Sequence, residues 1–262
     1  MKETDGSLWA VHPIQGSSEE LLGLLGGKEM YRIPLQHITA EHRKREWLSV
    51  RILLKELLQE EKEIAYTSSG RPYLTDHSYH ISISHTKGYV AIILDKYYPV
   101  GIDIEQISPR IHKIRKRFVN EEEESYLSKE KETVHLLIYW SAKESIFKAL
   151  EEEWVDFQTQ LHIGAFSPVL GELSSFSADE TKTNQHYSFQ VHYLAQSDYV
   201  LTFTKKFQTK YCLEVCRPTP DRTGTWITHF SASPLLNNPS SQQTILTVKG
   251  GGLSGCDGFQ RL

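Results

Sequence analysis

The hexapeptide at residues 100–105, Val-Gly-Ile-Asp-Ile-Glu, constrains the fold more than any other stretch of the chain. Successive side chains of a β-strand point to opposite faces, so this alternation predicts a strand with one apolar and one polar face. We expect the apolar face, formed by Val100, Ile102 and Ile104, to be buried.

The polar face carries Gly101 and two carboxylates, Asp103 and Glu105, which are about 6.6 Å apart along a strand. Like charges this close repel, so we expect a cation between or near them. Mg²⁺ takes oxygen ligands and often uses only one or two protein carboxylates. Because glycine has no side chain, backbone or substrate can come close at Gly101. The alternative is an edge strand with its polar face in water.

A second constraint is the helix predicted over residues 132–152, which places Trp140, Glu144 and Lys148 on one face at i, i+4 and i+8. The order Glu then Lys also suits an ordinary surface ion pair, and that interpretation stays open.

The rest of the chain predicts an α+β protein. A helix is expected over residues 40–59, followed by strands over 64–67, 79–84 and 89–95 and then the strand at 100–105. Ser108 caps a basic helix and Asn120 caps an acidic one. Further strands are expected over 157–163, 171–177, 187–193 and 199–203. We expect an N-terminal lobe over residues 1–98 and a C-terminal lobe with the metal site over 99–216.

From Arg217 onward the sequence is rich in Ser, Thr, Gly, Asn and Pro. We expect residues 217–262 to form a flexible tail, in which only 244–248 could be a strand.

Composition excludes several classes of function. The net charge of −4 over 262 residues does not suit a nucleic-acid-binding polycation. We expect no membrane span and no signal peptide, because no stretch approaches the roughly 18 consecutive apolar residues of a span. The only cysteines are Cys212, Cys216 and Cys256, which indicates a reducing, cytoplasmic location.

Residues 100–105, followed about 35 residues later by Trp-Ser-Ala-Lys-Glu-Ser-Ile-Phe-Lys at 140–148, resemble the paired signature of the 4′-phosphopantetheinyl transferase superfamily. Three shorter elements are also similar: Gly70-Arg71-Pro72, Ile83-Ser84-His85-Thr86, and Phe118 to Glu123. The resemblance covers about residues 35–205 and is closest to the monomeric, two-lobed Sfp-type members.

The resemblance implies two similar lobes with antiparallel sheets, related by a pseudo-twofold axis. It also implies a Mg²⁺-dependent enzyme, a holo-[acyl-carrier-protein] synthase. Such an enzyme transfers the 4′-phosphopantetheine arm of coenzyme A to a serine of an apo acyl or peptidyl carrier protein and releases 3′,5′-ADP.

By the same resemblance, Asp103, Glu105 and Glu144 hold Mg²⁺ against the pyrophosphate. The serine proton goes either to Glu144 or to water held by the metal and linked to Glu123, and a shift of one residue within the run Glu121–Glu124 would change that assignment. Lys148 would neutralise or protonate the departing phosphate oxygen. No role is assigned to Lys143.

The resemblance further implies that Arg51, Arg71, Ser84 and His85 bind coenzyme A, with His85 at the 3′-phosphate. Arg51 is open to question, because the basic run Arg43–Arg45 offers competing alignments.

Carrier proteins of this class are acidic helical bundles, so the predicted basic helix could steer them to the site. Its cations are Arg110, Lys113, Arg115, Lys116 and Arg117. A solvated basic face is the alternative.

Two other functions remain open from the sequence. A Mg²⁺-dependent phosphohydrolase could use the same carboxylates with water as the nucleophile. An inactive module could bind coenzyme A or the carrier protein without catalysis.

Overall fold

The computed structural model describes residues 2–4, 6–207, 211–215, 219–220, 226–234 and 245–249, with side chains over residues 6–207. The chain divides into two compact units, Met1–Phe207 and Gln208–Leu262. Helices of the first unit run over Ser18–Leu24 (α1), Glu29–Gln36 (α2), Glu41–Leu58 (α3), Glu121–Tyr126 (α4) and Glu132–Leu150 (α5). Its strands are Lys2–Thr4 (β1), Ser7–Pro13 (β2), Ile64–Tyr66 (β3), Pro72–Leu74 (β4), His80–Thr86 (β5), Tyr89–Asp95 (β6), Val100–Gln106 (β7), Leu161–Ile163 (β8), Leu173–Glu180 (β9), Ser188–Ala195 (β10) and Tyr199–Lys205 (β11).

Two antiparallel sheets form the centre of this unit. One has the strand order β1-β2-β6-β5 and the other β7-β11-β10-β9-β8. Helix α3 covers one face of the first sheet and α5 covers one face of the second. The opposite faces meet in a shared apolar core, where the rings of Trp9 and Phe203 are 4.7 Å apart. The prediction of an α+β protein with antiparallel sheets is confirmed, while the pseudo-twofold relation and the lobe boundary at residue 98 stay predictions.

The strand at residues 100–105 is the edge strand β7, and its apolar face is buried as predicted. Ile102 and Ile104 are at most 1% exposed. The polar face is not in water, because it faces α5 and Asp103 is only 5% exposed. The alternative of an edge strand with a solvated polar face is therefore wrong.

Strands β5 and β7 are joined by side chains. The hydroxyls of Ser82, Ser84 and Thr86 accept the amide N–H groups of Ile102, Ile104 and Gln106, at 3.2, 3.3 and 3.3 Å. The two residues of each bonded pair are 20 positions apart in the chain, so the two strands run parallel. We call this row of three hydroxyl contacts the seam. It provides acceptors for the amide N–H groups of β7 that are not used in backbone pairing with β11.

Two predicted elements are shorter or of another type than expected. The basic helix after Ser108 is a pair of 3₁₀ segments, Pro109–Lys113 and Arg115–Arg117, since like charges four residues apart weaken an α-helix. The strand expected over 157–163 is limited to β8. Before it, the Asp156 carboxylate accepts the N–H groups of Gln158 and Thr159 and makes a turn.

Strands of the second unit run over Tyr211–Val215, Thr219–Pro220, Trp226–Pro234 and Ile245–Lys249, and the other three pair antiparallel with Trp226–Pro234. The strand predicted at 244–248 overlaps the last of these, whereas Trp226–Pro234 was not predicted. The remaining residues of the expected tail lie outside the described residues, so its flexibility stays a prediction.

Among the helices described, none combines the length and the apolar character that crossing a bilayer requires.

Helix α5 carries a histidine that is fully buried. His135 packs between the rings of Tyr139 and Phe166, and its Nδ1 accepts the Ser128 N–H at 3.0 Å. Burial lowers the pKa of His135 to about 4, so the folded protein holds the imidazole neutral.

We therefore expect acid to destabilise the fold through His135. The unfolded state binds a proton below pH about 6.5 and the folded state only near pH 4, so stability falls as the pH drops between these values, by at most about 3 kcal/mol. Denaturant unfolding at pH 7.5 and 5 measures this change.

The control is His135→Asn, which keeps an acceptor for Ser128 but cannot titrate. It should be less stable at both pH values and should lose less stability between them. An equal loss in both proteins would show that His135 does not cause the acid sensitivity.

Candidate functional site

The site begins where helix α5 touches strand β7. A Cβ atom added at Gly101 would collide with the Ser145 carbonyl oxygen and lie 2.9 Å from the amide nitrogen of Ala149. The close approach predicted at Gly101 is therefore confirmed, and the partner is the helix backbone. Hydroxyls reinforce this contact, since Ser141 Oγ lies 2.9 Å from Thr202 Oγ1 on β11.

Asp103 lies in this interface with its two carboxylate oxygens in different surroundings. Its Oδ1 accepts from Ser84 Oγ at 2.9 Å and from Lys148 Nζ at 2.9 Å. Lys148 also donates to the Ile102 carbonyl at 2.9 Å, so the ammonium is fixed beside the strand. Asp103 Oδ2 is buried and has no hydrogen-bond partner among the described residues.

The two other predicted metal ligands belong to the same charged cluster. Trp140 Nε1–H donates to Glu105 Oε1 at 2.9 Å, which explains the tryptophan at this position of the helix. Burial, and next the charge of Asp103, raises the pKa of Glu105. The same two causes, with a further contribution from Glu105, raise the pKa of Glu144 to about 7.

These three carboxylates fit a divalent cation by their chemistry. They are partly desolvated and mutually repulsive, and Asp103 Oδ2 is buried without a hydrogen-bond partner among the described residues. Within the described part of the chain, no three side chains of His, Cys, Asp or Glu converge closely enough to form a ready metal cage. The assignment of Asp103, Glu105 and Glu144 as ligands therefore stays a prediction.

Glu123 is not part of this cluster, because its carboxylate lies in a closed, buried ion pair with Lys143. It is 1% exposed and is 2.7 Å from Lys143 Nζ. It also accepts the N–H groups of Asn120 at 3.0 Å and Ile163 at 2.8 Å. Since these donors occupy the acceptor sites of a carboxylate, the geometry does not support the predicted proton relay through Glu123.

Lys143, which had no predicted role, ties α5 to two loops. Its ammonium donates to the carbonyls of Phe118 at 2.6 Å and Phe157 at 2.8 Å. Burial lowers its pKa, and the Glu123 carboxylate opposes that shift. The capping box Asn120–Glu123 at the start of α4 was the sequence signal that could have indicated a structural glutamate.

The predicted coenzyme A ligands lie in different surroundings. Arg51 is 7% exposed, stacks 3.4 Å above the Trp47 ring and donates to the Trp47 carbonyl. Burial lowers the pKa of Arg51 to about 10. His85 is exposed, and its Nε2 lies 3.4 Å from Arg43 Nη1. Arg43 is exposed too, so the basic run Arg43–Arg45 offers the more accessible cation.

Arg71 lies across a cleft from helix α5. One of its terminal nitrogens donates to the Glu152 carbonyl at 3.0 Å, while Nη1 is buried without a hydrogen-bond partner among the described residues. The guanidinium carbon is 6.0 Å from the Phe147 ring.

Adjoining clefts connect these residues. One cleft, of about 780 Å³, is lined by Arg71, Phe147 and Lys148 among other residues. It shares Gly70, Pro72 and Ile83 with a cleft of about 540 Å³ that contains Arg43, Arg51 and His85. A path therefore leads from Lys148, beside Asp103, to the exposed His85, and its lining mixes basic residues with the acidic residues Glu46, Glu151, Glu152 and Glu153.

The predicted docking cations differ in availability. Arg115 is held by ion pairs with Glu124 and with Glu132, the latter at 2.7 Å. The other four, Arg110, Lys113, Lys116 and Arg117, are exposed.

Comparison with known proteins agrees with this geometry. The sequence model of the 4′-phosphopantetheinyl transferase superfamily matches residues 99–204, which contain β7, α5 and the carboxylate cluster. These residues belong to that superfamily.

Two similar curated proteins are named as 4′-phosphopantetheinyl transferases. The 4′-phosphopantetheinyl transferase gsp of Aneurinibacillus migulanus is 34% identical over 84 residues, which are 31% of this chain and 35% of the relative. The 4′-phosphopantetheinyl transferase Sfp of Bacillus subtilis (strain 168) is 37% identical over 83 residues, 30% of this chain and 37% of the relative. The chain thus spans about a third of the length of the curated relatives it matches.

The superfamily match includes the cluster residues and also Glu123 and Lys143. Arg51, Arg71, Ser84 and His85 precede it, so their roles rest on the geometry of the clefts and the seam.

Replacement of Gly101 by alanine should separate α5 from β7. The added methyl group meets helix backbone that cannot rotate away, so we expect a loss of about 1–3 kcal/mol in the free energy of unfolding. Gly23→Ala is the matched control, since a Cβ there meets nothing within 4 Å. Denaturant titration of both variants should show destabilisation only for Gly101→Ala, and equal stabilities would contradict the close contact.

Removal of the Lys143 ammonium should be costly, because it leaves the Glu123 carboxylate buried without its counter-ion. We expect Lys143→Met to lower the free energy of unfolding by about 3–5 kcal/mol. The double variant Lys143→Met/Glu123→Gln, which removes both charges, should recover part of that loss.

The control is Lys62→Met, which breaks the more exposed pair with Asp76 and should have a much smaller effect. If Lys143→Met is no more harmful than Lys62→Met, the buried pair does not hold α5 in place.

Proposed function

We propose that this protein transfers the 4′-phosphopantetheine arm of coenzyme A to a serine hydroxyl of an apo carrier protein, with Mg²⁺, and releases 3′,5′-ADP. The observation that carries the proposal is the joint placement of Asp103, Glu105, Glu144 and Lys148 at the contact between β7 and α5. The superfamily of residues 99–204 supports the same reaction class.

The clefts suit a substrate with anionic groups at separate points. Coenzyme A carries a pyrophosphate in its middle and a 3′-phosphate on its ribose. Lys148 marks one end of the path through the two clefts, while Arg43 and His85 mark the other. We assign the pyrophosphate to the Lys148 end and the 3′-phosphate to the His85 end, with Arg71 between them.

We assign the three carboxylates to the cation that the pyrophosphate requires. Asp103 would bind it through Oδ2, with Glu105 held by Trp140 and Glu144 presented by the adjacent helix. A bound Mg²⁺ would neutralise the pyrophosphate and stabilise the charge that develops as the bond between its phosphates breaks.

The residues of the chain then have separate tasks. Glu144, on the helix face toward Asp103, accepts the proton of the attacking serine hydroxyl. Lys148 donates to the phosphate oxygen that leaves with 3′,5′-ADP. The new ester joins the serine oxygen to the phosphate of the pantetheine arm. Glu123 has no part in this assignment, since its buried ion pair occupies it.

The partner is an acidic carrier protein. The exposed residues Arg110, Lys113, Lys116 and Arg117 follow β7 closely in the chain, and their charge would steer such a partner toward the site. We further propose that the protein acts as a monomer in the cytoplasm.

The test is the intact mass of apo carrier proteins, one from a fatty-acid synthase and one from a peptide synthetase, after incubation with the protein, coenzyme A and Mg²⁺. We expect at least one carrier to gain a single phosphopantetheine group. Asp103→Asn removes a charge from the cluster and should slow transfer by at least about 100-fold.

Asp95→Asn is the matched control, because Asp95 is also a buried aspartate but lies at the end of β6, where it accepts the N–H groups of Tyr97 and Tyr98. It should retain transfer. Coenzyme A that disappears without modification of a carrier would favour the phosphohydrolase. Coenzyme A that binds but persists in the presence of both carriers would favour the inactive module.

A further inference from the structure

One seam hydroxyl has a second partner. Ser82, Ser84 and Thr86 each accept one amide N–H of β7. Among these three hydroxyls, only that of Ser84 also donates to a carboxylate of the cluster. Ser84 accepts from Ile104 N and donates its single proton to Asp103 Oδ1 at 2.9 Å. The hydroxyl therefore has a fixed orientation, since its donor and one acceptor position are both used.

This bond determines which oxygen of Asp103 is available. Oδ1 already accepts from Ser84 and Lys148, whereas the buried Oδ2 has no hydrogen-bond partner among the described residues. A carboxylate held by two donors on one oxygen cannot rotate about its terminal bond without breaking both bonds. Asp103 is 5% exposed, so water is a poor substitute for either donor.

We propose that Ser84 is a positioning residue that locks the Asp103 carboxylate so that Oδ2 is the oxygen offered to a divalent cation. The proposal rests on the proposed function, which places the cation at Asp103. The sequence prediction that Ser84 binds coenzyme A is separate from this role and stays a prediction. Because Ser84 belongs to the first sheet and Asp103 to the second, the seam also sets the metal site in register with the coenzyme A cleft.

Ser82 provides an internal comparison. It lies two residues before Ser84 on the same strand, is 4% exposed where Ser84 is 8%, and accepts a β7 amide at a similar distance. Loss of either hydroxyl removes one seam contact. Only the loss of Ser84 also removes one of the two donors to Asp103 Oδ1. The two alanine variants therefore separate an effect on the position of Asp103 from a general effect on stability.

The experiment measures binding of Mn²⁺ alone, by electron paramagnetic resonance of the free ion, to the full chain and to its variants. We expect Ser84→Ala to raise the dissociation constant about tenfold or more, and Ser82→Ala to change it less than about twofold. Ser84→Thr should restore binding, since Thr86 makes the same kind of seam contact. Circular dichroism and thermal unfolding verify that each variant is folded.

Should Ser84→Ala fail to fold, Ser84→Cys replaces it, because a thiol fills the space but is a weak donor. Equal weakening by Ser82→Ala and Ser84→Ala would overturn the proposal, as would unchanged binding in Ser84→Ala or no binding of Mn²⁺ by the unsubstituted protein. Carrier modification is measured separately. A protein that binds Mn²⁺ in a Ser84-dependent way but modifies no carrier would retain the positioning role and lose the transferase assignment.

Discussion

The direct contact of helix α5 with strand β7 is the constraint on which the site depends. Gly101 lets the helix backbone rest on the strand, and the hydroxyls of Ser141 and Thr202 hold it there. At this distance, side chains from the two elements reach each other, so Lys148 can bond to Asp103. A side chain at Gly101 would widen the gap and remove the helix residues from the strand carboxylates.

Consecutive residues of α5 show two ways in which a protein treats buried charge. The buried charge of Lys143 is neutralised and hydrogen-bonded, because its ammonium contacts one carboxylate and two carbonyls. None of these three partners is open to a ligand. Glu144 has no such set of partners among the described residues, and its raised pKa reflects burial first and then the carboxylates beside it. The closed pair fixes the helix, and the open cluster retains the unfavourable energy that a bound cation would relieve.

The sequence predicted the elements whose signal is local. The alternation in β7 and the helical face of α5 are periodic patterns, and the structure shows both. Glu123 received a proton-relay role that its closed ion pair does not support, and the coenzyme A role of Ser84 stays a prediction. Their partners depend on how separate elements meet in three dimensions, and no spacing along the chain encodes that. For the same reason, no role could be predicted for Lys143 from the sequence.

The seam has a consequence for how this fold can change over evolutionary time. Within each sheet the strands are held by backbone groups, so among single substitutions only one to proline takes away a backbone donor. The hydrogen bonds between β5 and β7 are made instead by three side-chain hydroxyls. One codon change can therefore loosen or tighten the seam, and selection can adjust the alignment of the two sheets one hydroxyl at a time while each sheet remains intact.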